Sequence, residues 1–245
     1  TKDQGAMLRD YTKWDDEPRS AGAIVESMLR ANQMARSEPP GPVYVCLDAG
    51  LQESALEEEI KIPDVSRFQP SEPPRASGNN VKEVADMLLG AANPVIMIGR
   101  SGRSQEAWDN RIKLAEAVGA GVFTNLRNAA VFPSDHLLHV GRPAGRINDT
   151  MRDVVTESDA ILSLNWLDFG GTQRLLTRDG ELKGKIVHCS MEEYVHNGFG
   201  GELFELPMAD IKITADHDAF VVQLLKEIES RGAASNWDGK RVGPE

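Results

Sequence analysis

The residues in this sequence that most clearly could bind a ligand lie in a short glycine-containing turn. Gly99-Arg100-Ser101-Gly102 follows the apolar run of residues 95–98 and precedes apolar residues at helical spacing. Such a turn directs backbone N–H groups and a helix N-terminus toward one point, where a phosphate group can bind. Because Gly99-x-x-Gly102 is not the full G-x-G-x-x-G fingerprint, a plain tight connection between strand and helix stays open as the alternative.

Other reactive residue types occur without the partners that their chemistry needs. His136 and His139 lie close to Asp135, but no third or fourth metal ligand is apparent in the sequence around them. The G-x-S-x-G nucleophile motif is missing, and Cys46 and Cys189 lie in apolar runs typical of buried thiols. We therefore predict neither a metal site nor hydrolase chemistry.

Composition and charge limit the class of protein. The chain has 245 residues, 40% of them hydrophobic, and a formal net charge of −11. An acidic chain without a basic face is not expected to bind nucleic acid or an anionic membrane surface. No apolar run approaches the roughly 20 residues of a membrane span, and the first residues lack a signal-peptide pattern. We expect a globular, cytoplasmic protein.

The turn lies inside a predicted strand, helix and strand unit that spans residues 94–126, in which Gly119 ends the helix. Further apolar runs follow it, and helical patterns alternate with them. The predicted strands are residues 95–98, 121–124, 160–164, 185–190 and 211–213. This alternation favours an α/β fold with a doubly wound, mostly parallel, Rossmann-like sheet that helices cover on both faces.

In such a sheet, ligands bind outside the carboxyl ends of the strands. The loops that begin at Gly99, Thr124, Asn165 and Ser190 are therefore expected to converge at one edge. Asp168 also follows a predicted strand. It could contact a ligand or, as the commoner outcome for an Asp in a turn, cap the segment after it.

The first fifty residues are too few to bury their own apolar faces. They predict a strand within residues 5–14, a helix with Ser20 as its N-cap, and a buried strand at residues 43–47. We interpret residues 1–50 as the end of a larger α/β domain.

The rest of the chain has three parts. Residues 51–77 combine an acidic run with four prolines in a polar context, which is typical of a linker. Residues 78–230 form the main Rossmann-like domain. Residues 231–245 are a polar tail that we expect to be loose.

Several segments, in this order, resemble the central domain of the thiamine diphosphate-dependent decarboxylases and acetolactate synthases. They are residues 94–99 (PVIMIG), 114–119 (LAEAVG), 122–126 (VFTNL), 131–137 (VFPSDHL), 158–162 (SDAIL) and 185–188 (KIVH). Upstream, residues 40–45 (PGPVYV) resemble the strand that ends the family's pyrimidine-binding domain, and a Pro-rich linker follows in both. The resemblance covers nearly the whole chain, and the order of the segments makes it specific.

The resemblance implies one part of an enzyme with three domains of similar size. It implies thiamine diphosphate and Mg²⁺ as cofactors, with the activating glutamate before Thr1 and a Gly-Asp-Gly motif in a third domain. No Gly-Asp-Gly occurs here, because Asp179 and Asp238 follow Arg178 and Trp237. We therefore expect no catalytic residue, no metal ligand and no thiamine diphosphate binding in this chain by itself.

In some members the central domain binds FAD or an ADP moiety along its loops, so the resemblance also implies candidate contacts. They are Gly99, Arg100, Gly102, Thr124, Asn125, Leu126, Gly141, Asn165, Asp168 and Ser190. Two positions depart from the family pattern: Ser190 replaces an acidic ribose-binding residue, and Ala215-Asp216 replaces a Gly-Asp pair. We predict that any nucleotide affinity is weak or lost.

We interpret the chain as the central domain, with the end of a preceding domain, of an acetolactate synthase-like enzyme that acts on 2-oxo acids or related substrates. Its expected partners are the other domains of that enzyme and further copies in a homo-oligomer. The alternative is a stand-alone, non-catalytic module that binds a nucleotide or supports an oligomer. A Gly-Asp-Gly motif with a later Asn, encoded after Glu245, would distinguish the enzyme from the module.

Overall fold

The structure of the chain, a computed structural model, describes residues 3–56, 59–141, 148–177, 181–192, 205–240 and 242. The chain is divided into two units between Pro73 and Pro74. Among the described residues, no helix has both the length and the apolar character needed to cross a membrane.

The first unit contains a two-stranded parallel sheet and two helices. Its elements are β1 (Trp14–Asp16), α1 (Ala21–Arg36), β2 (Val43–Val45) and α2 (Ala49–Glu53), with 3₁₀ turns at Gly5–Met7 and Val65–Arg67. Trp14 is paired with Val43 in the sheet. Ser20 is the N-cap of α1, as predicted, because its side chain accepts a hydrogen bond from the Ala23 N–H at 3.2 Å.

Three expectations for this unit were wrong. A 3₁₀ turn occupies Gly5–Met7, and the first strand begins only at Trp14. The second strand ends at Val45 and is half-buried, and Cys46 is likewise half-buried instead of buried. The physical reason is that α1 packs on a sheet of two strands, which is too narrow to bury both of its faces.

The second unit contains five parallel strands in the order β4-β3-β5-β6-β7. Its elements are α3 (Gly78–Gly90), β3 (Pro94–Ile98), α4 (Gln105–Val118), β4 (Gly121–Thr124), α5 (Asp149–Glu157), β5 (Ala160–Leu164), α6 (Phe169–Leu176), β6 (Lys185–Cys189), β7 (Ile211–Ile213) and α7 (His217–Ser230).

The two faces of this sheet bury two separate apolar clusters. Ile96 and Ile98 of β3 belong to a cluster that includes residues of α3, α4 and α7. Val95 and Met97, which alternate with them, belong to a second cluster that includes residues of α5 and α6. Helices therefore cover both faces of a parallel sheet, and the predicted doubly wound α/β fold is confirmed.

The helix α6 was not predicted from the sequence. It has only eight residues, and Gly170 and Gly171 in its first turn weaken any helical pattern. The structure shows why a glycine lies there, because a Cβ at Gly170 would be 2.0 Å from the Glu205 carbonyl oxygen. The glycine in the first turn of α6 is therefore required by the close approach of another backbone segment, which the local sequence does not reveal.

Within the tail that we expected to be loose, Asn236 is bonded to two helices. The Asn236 N–H donates to the Ala117 carbonyl at 3.1 Å, and its side-chain amide donates to the Leu89 carbonyl at 3.2 Å. These carbonyls belong to the last turns of α4 and α3, where helices lack internal donors. Asn236 supplies those donors and so ties its part of the tail to both helices.

Candidate functional site

The candidate site lies at the carboxyl ends of β3, β5 and β6. The chain passes from β3 to β4 on one side and then returns to β5 on the other side of β3. Such a reversal leaves a crevice between the loops that follow the two strands, and ligands of doubly wound sheets bind there. The loops after β3, β5 and β6 begin at Gly99, Asn165 and Ser190, as the sequence predicts.

Asn165 joins these three loops through its side chain. Its amide Nδ2 donates to the Arg100 carbonyl at 2.9 Å, and its Oδ1 accepts from the Ser190 hydroxyl at 2.9 Å. Its backbone is left-handed, with φ 49°, and its N–H donates to the Cys189 carbonyl at 2.8 Å. The structure therefore brings Arg100, Asn165 and Ser190 together, but their polar groups bond to one another.

Gly99 lies where the loops after β3 and β5 approach most closely. A Cβ at this position would be 1.9 Å from the Asn165 carbonyl oxygen, so another residue would force the two loops apart. The Gly99 N–H donates to the Leu164 carbonyl at 2.8 Å, and the Arg100 N–H donates to the Asn165 carbonyl at 3.2 Å. Two of the N–H groups that the sequence offered to a phosphate therefore hold the β5 loop instead.

The guanidinium of Arg100 forms an ion pair with Glu192. The Glu192 N–H in turn donates to the Ser190 hydroxyl at 3.1 Å. Sequence reasoning missed Glu192, although its position two residues beyond Ser190 and just past β6 was a usable signal. A carboxylate is thus present near the position where Ser190 lacks one, and it neutralises the cation that a diphosphate would need.

The second half of the turn is occupied by a carboxylate from α7. The Gly102 N–H donates to Asp218 Oδ2 at 2.7 Å. Asp218 Oδ1 accepts from Nη1 of Arg111, a fully buried side chain on α4, at 2.5 Å. Neither Asp218 nor Arg111 was singled out from the sequence, because they are 107 positions apart and belong to different helices.

His217 lies next to Asp218 and contacts the same turn. Its Nε2 is 3.0 Å from the hydroxyl oxygen of Ser101. Burial lowers the pKa of His217 below its ordinary value, while the nearby carboxylates of Asp218 and Asp216 act in the opposite direction. The imidazole is therefore favoured in its neutral form.

Thr124 and Gly141 are brought together through His139. The His139 Nδ1 lies 3.0 Å from the Gly141 carbonyl, which only accepts, so this nitrogen carries the proton. In the neutral ring, Nε2 then accepts from the Thr124 hydroxyl at 2.9 Å. His139 thus links Thr124 to the Gly141 carbonyl through its two ring nitrogens.

His136, the other histidine of this loop, lies 3.2 Å from Glu116 through its Nε2. Within the described ranges, no group of three or more His, Cys, Asp or Glu residues is arranged to hold a metal ion.

The remaining candidate contacts are Asn125, Leu126 and Asp168. Asn125 Oδ1 accepts from the Arg127 N–H at 2.9 Å within its own turn, and the Leu126 side chain is largely exposed. Asp168, with φ 51°, is the N-cap of α6, and its Oδ1 accepts from the N–H groups of Gly171 at 3.0 Å and Glu205 at 3.2 Å. Of the two roles open to Asp168, the structure shows the cap.

Cys189 is the last residue of β6, directly before the loop residue Ser190. Burial raises the pKa of its thiol, and the sulfur is 3.6 Å from the Ala215 carbonyl oxygen. A buried neutral thiol is a poor nucleophile. The described part of the edge therefore offers a network of polar groups that are largely bonded to one another.

Comparison with known proteins finds a family that most of this sheet resembles. Residues 81–197 match the family described as "Thiamine pyrophosphate enzyme, central domain". The chain is 27% identical to the "Probable acetolactate synthase large subunit" of Methanocaldococcus jannaschii over 86% of its own length and 34% of that protein. It is 28% identical to the glyoxylate carboligase of Escherichia coli O157:H7 over 56% of its length and 22% of that protein.

Among solved structures, the chain resembles the benzoylformate decarboxylase from Polynucleobacter necessarius. The TM-score is 0.68 at 18% sequence identity, and the match covers 96% of this chain and 42% of that one. At this identity the likeness shows a shared fold. The chain spans 34% and 22% of the length of the two curated relatives cited above.

The doubly wound sheet and the family match agree on what this chain resembles. Residues 81–197 match the central domain of thiamine pyrophosphate enzymes, and the chain resembles acetolactate synthases. The resemblance drawn from the sequence is confirmed.

Proposed function

We propose that this chain is the non-catalytic central domain of a thiamine diphosphate-dependent, acetolactate synthase-like enzyme that acts on 2-oxo acids or related substrates. In this proposal the residues at the carboxyl edge of the sheet shape and stiffen the domain, and they hold no nucleotide. The observation that carries the proposal is the state of the first βα turn: N–H groups of Gly99, Arg100 and Gly102 all donate to groups of the chain itself.

The residues present do not fit thiamine diphosphate with Mg²⁺. Mg²⁺ needs carboxylate oxygens in fixed octahedral geometry, and the described residues contain no cluster of three suitable ligands. The Asp-Gly pairs of the sequence lack the preceding glycine of the family motif, and the net charge of −11 opposes a diphosphate. We propose that the residues that bind thiamine diphosphate and Mg²⁺ belong to other domains of the enzyme.

The residues present also fit FAD or ADP poorly. A diphosphate at the turn would have to replace the Asp218 carboxylate at Gly102 and separate Arg100 from Glu192. The loss of a charge-assisted hydrogen bond to ribose at Ser190 would cost roughly 1.5 to 3 kcal/mol more. That loss corresponds to about one to two decades in affinity.

Isothermal titration of the purified chain with FAD and with ADP tests this proposal. We expect no binding tighter than the micromolar range, and a yellow purified protein would contradict the proposal. A parallel titration with thiamine diphosphate and Mg²⁺, together with an assay of CO₂ release from pyruvate, should give neither saturable heat nor turnover. Saturable binding with turnover would show that the domain has been misplaced within the family.

The stand-alone module remains the competing function, and the gene distinguishes the two. A Gly-Asp-Gly motif followed by an Asn, encoded beyond Glu245, supports the enzyme. Copies of the chain are also proposed to associate, because the two-stranded sheet of the first unit is half-buried and apolar side chains of that unit such as Met28 and Ile62 are exposed. Sedimentation velocity should show oligomers, and a monodisperse monomer would contradict this association.

A further inference from the structure

A buried ion pair contacts the turn that was expected to bind phosphate. Arg111 of α4 has a side chain with 0% exposure, and Asp218 in the first turn of α7 has one with 18% exposure. The Asp218 carboxylate accepts from Arg111 Nη1 at 2.5 Å through one oxygen and from the Gly102 N–H at 2.7 Å through the other. This carboxylate therefore receives one charged donor and one backbone donor of a glycine turn.

These two donors are of the kind that proteins use to bind external anions. Arg111 is held in position by its other donors, because Nη2 donates to the Gly102 carbonyl at 3.0 Å and Nε donates to the Val131 carbonyl at 2.8 Å. The guanidinium consequently has little freedom to follow a different partner. If the carboxylate were absent, a fixed buried cation and a free glycine N–H would face one small space.

We infer that Gly102 and Arg111 form an anion site that the chain fills with its own Asp218, and that Asp218 is the residue that keeps phosphate groups out of this turn. The space is fully used, since even a Cβ at Gly102 would be 2.7 Å from Asp218 Oδ2. This inference rests on the proposed function, in which the domain carries no nucleotide, and names the side chain responsible. The ligand class is inorganic phosphate or a terminal phosphate monoester.

Two substitutions that remove the same charge separate this inference from a purely structural role. Asp218→Ala empties the space between Gly102 and Arg111, whereas Asp218→Asn keeps it filled with an amide of equal size. Both variants lose the ion pair and should be less stable than the parent chain. Only the alanine variant is expected to bind an external anion.

The measurement is thermal unfolding of all three proteins in inorganic phosphate and in sodium chloride at equal ionic strength, followed by titration calorimetry with inorganic phosphate. We expect phosphate to raise the Tm of Asp218→Ala by several degrees and to bind it at least tenfold more tightly than it binds Asp218→Asn or the parent chain. An equal response of all three proteins overturns the inference.

The double variant Arg111→Met with Asp218→Ala removes the cation as well, and its phosphate response should fall to that of the parent chain. If Asp218→Ala does not fold in chloride, recovery of its near-ultraviolet circular dichroism in phosphate supports the site, and continued unfolding in phosphate overturns it. The proposed function is tested separately, because ADP titration of the unaltered chain decides it without any of these variants.

Discussion

Gly99 is the residue on which the geometry of the crevice depends most directly. Its missing side chain lets the Asn165 carbonyl approach within 1.9 Å of the position that a Cβ would occupy. The loops after β3 and β5 can then exchange the hydrogen bonds that hold the edge together. At this position glycine is required by contact, not by backbone conformation.

Substitution of Gly99 by alanine should therefore destabilise the chain. We expect the free energy of unfolding to fall by about 3 kcal/mol or more, because the new methyl group meets a backbone that has no room to move. Chemical denaturation measures this change. Gly90→Ala is the matched control, since nothing lies within 4 Å of a Cβ at that helical position, and it should shift stability by about 1 kcal/mol at most. Equal effects of the two substitutions would contradict the role of Gly99.

The lowered pKa of His217 should make the free energy of unfolding depend on pH. Burial lowers its pKa in the folded chain below the ordinary value of 6.5, so the unfolded chain takes up a proton first as the pH falls. The stabilisation is present above pH 6.5 and is lost as the pH decreases below it, by at most about 1.4 kcal/mol per pH unit. Denaturation of the parent chain and of His217→Gln between pH 8 and 5 should reveal a difference that shrinks with acidity. A difference that stays constant over this range would argue against a neutral buried imidazole.

At the scale of elements, α6 shows how a short helix can be fixed from outside its own sequence. Asp168 caps its N-terminus and also accepts from the Glu205 N–H, which lies 37 positions away. Gly170 lets that same segment pack closely on the first turn. The helix is thus defined by its partner segment as much as by its own residues.

Asp168→Ala should lower the free energy of unfolding by roughly 2 kcal/mol, because it removes the N-cap of α6. It also places at a left-handed φ an alanine, whose side chain cannot form the local hydrogen bond that makes this conformation tolerable for aspartate. Asp168→Asn keeps an acceptor oxygen and a residue type that tolerates this conformation, so it should cost less than half as much. The comparison by chemical denaturation tests the capping role. Equal losses in both variants would mean that the negative charge, and not the cap, is what matters.

At the scale of the whole molecule, we expect the boundary between the two units to determine where proteases cleave the chain first. Residues 61–69 are exposed throughout and lie in the predicted linker of residues 51–77. The division between units falls shortly after them, between Pro73 and Pro74. We propose that residues 78–230 behave as one protected domain.

Limited trypsin digestion should therefore cut first between Leu51 and Ser77, at exposed sites such as Lys61 and Arg67. Exposed backbone without dense packing enters a protease most easily. Mass spectrometry of the earliest fragments identifies the cut. Arg111 is an internal control, because it is buried and should resist cleavage until the domain unfolds. Early cleavage within residues 95–122 would contradict the boundary.

The sequence by itself determined the sheet and the family resemblance. Continuous apolar runs such as residues 95–98 and 160–164 reveal buried parallel strands, and Ser20 and Gly119 mark helix ends, because these signals are local in the chain. The order of the segments was enough to identify the central domain. These properties depend on neighbours within a few residues, which a single sequence displays.

Only the tertiary structure decided what the site residues do. Gly102 bonds to a carboxylate 116 positions away, Arg100 pairs with a glutamate 92 positions away, and Asn165 connects loops from three strands. Such contacts follow from the packing of α4, α7 and the sheet edge, and no local pattern encodes them. The turn that the sequence offers to a phosphate is therefore occupied by the Asp218 carboxylate in the folded chain. The reason is that a buried cation such as Arg111 and a buried N–H group are stable only when each has a hydrogen-bond acceptor.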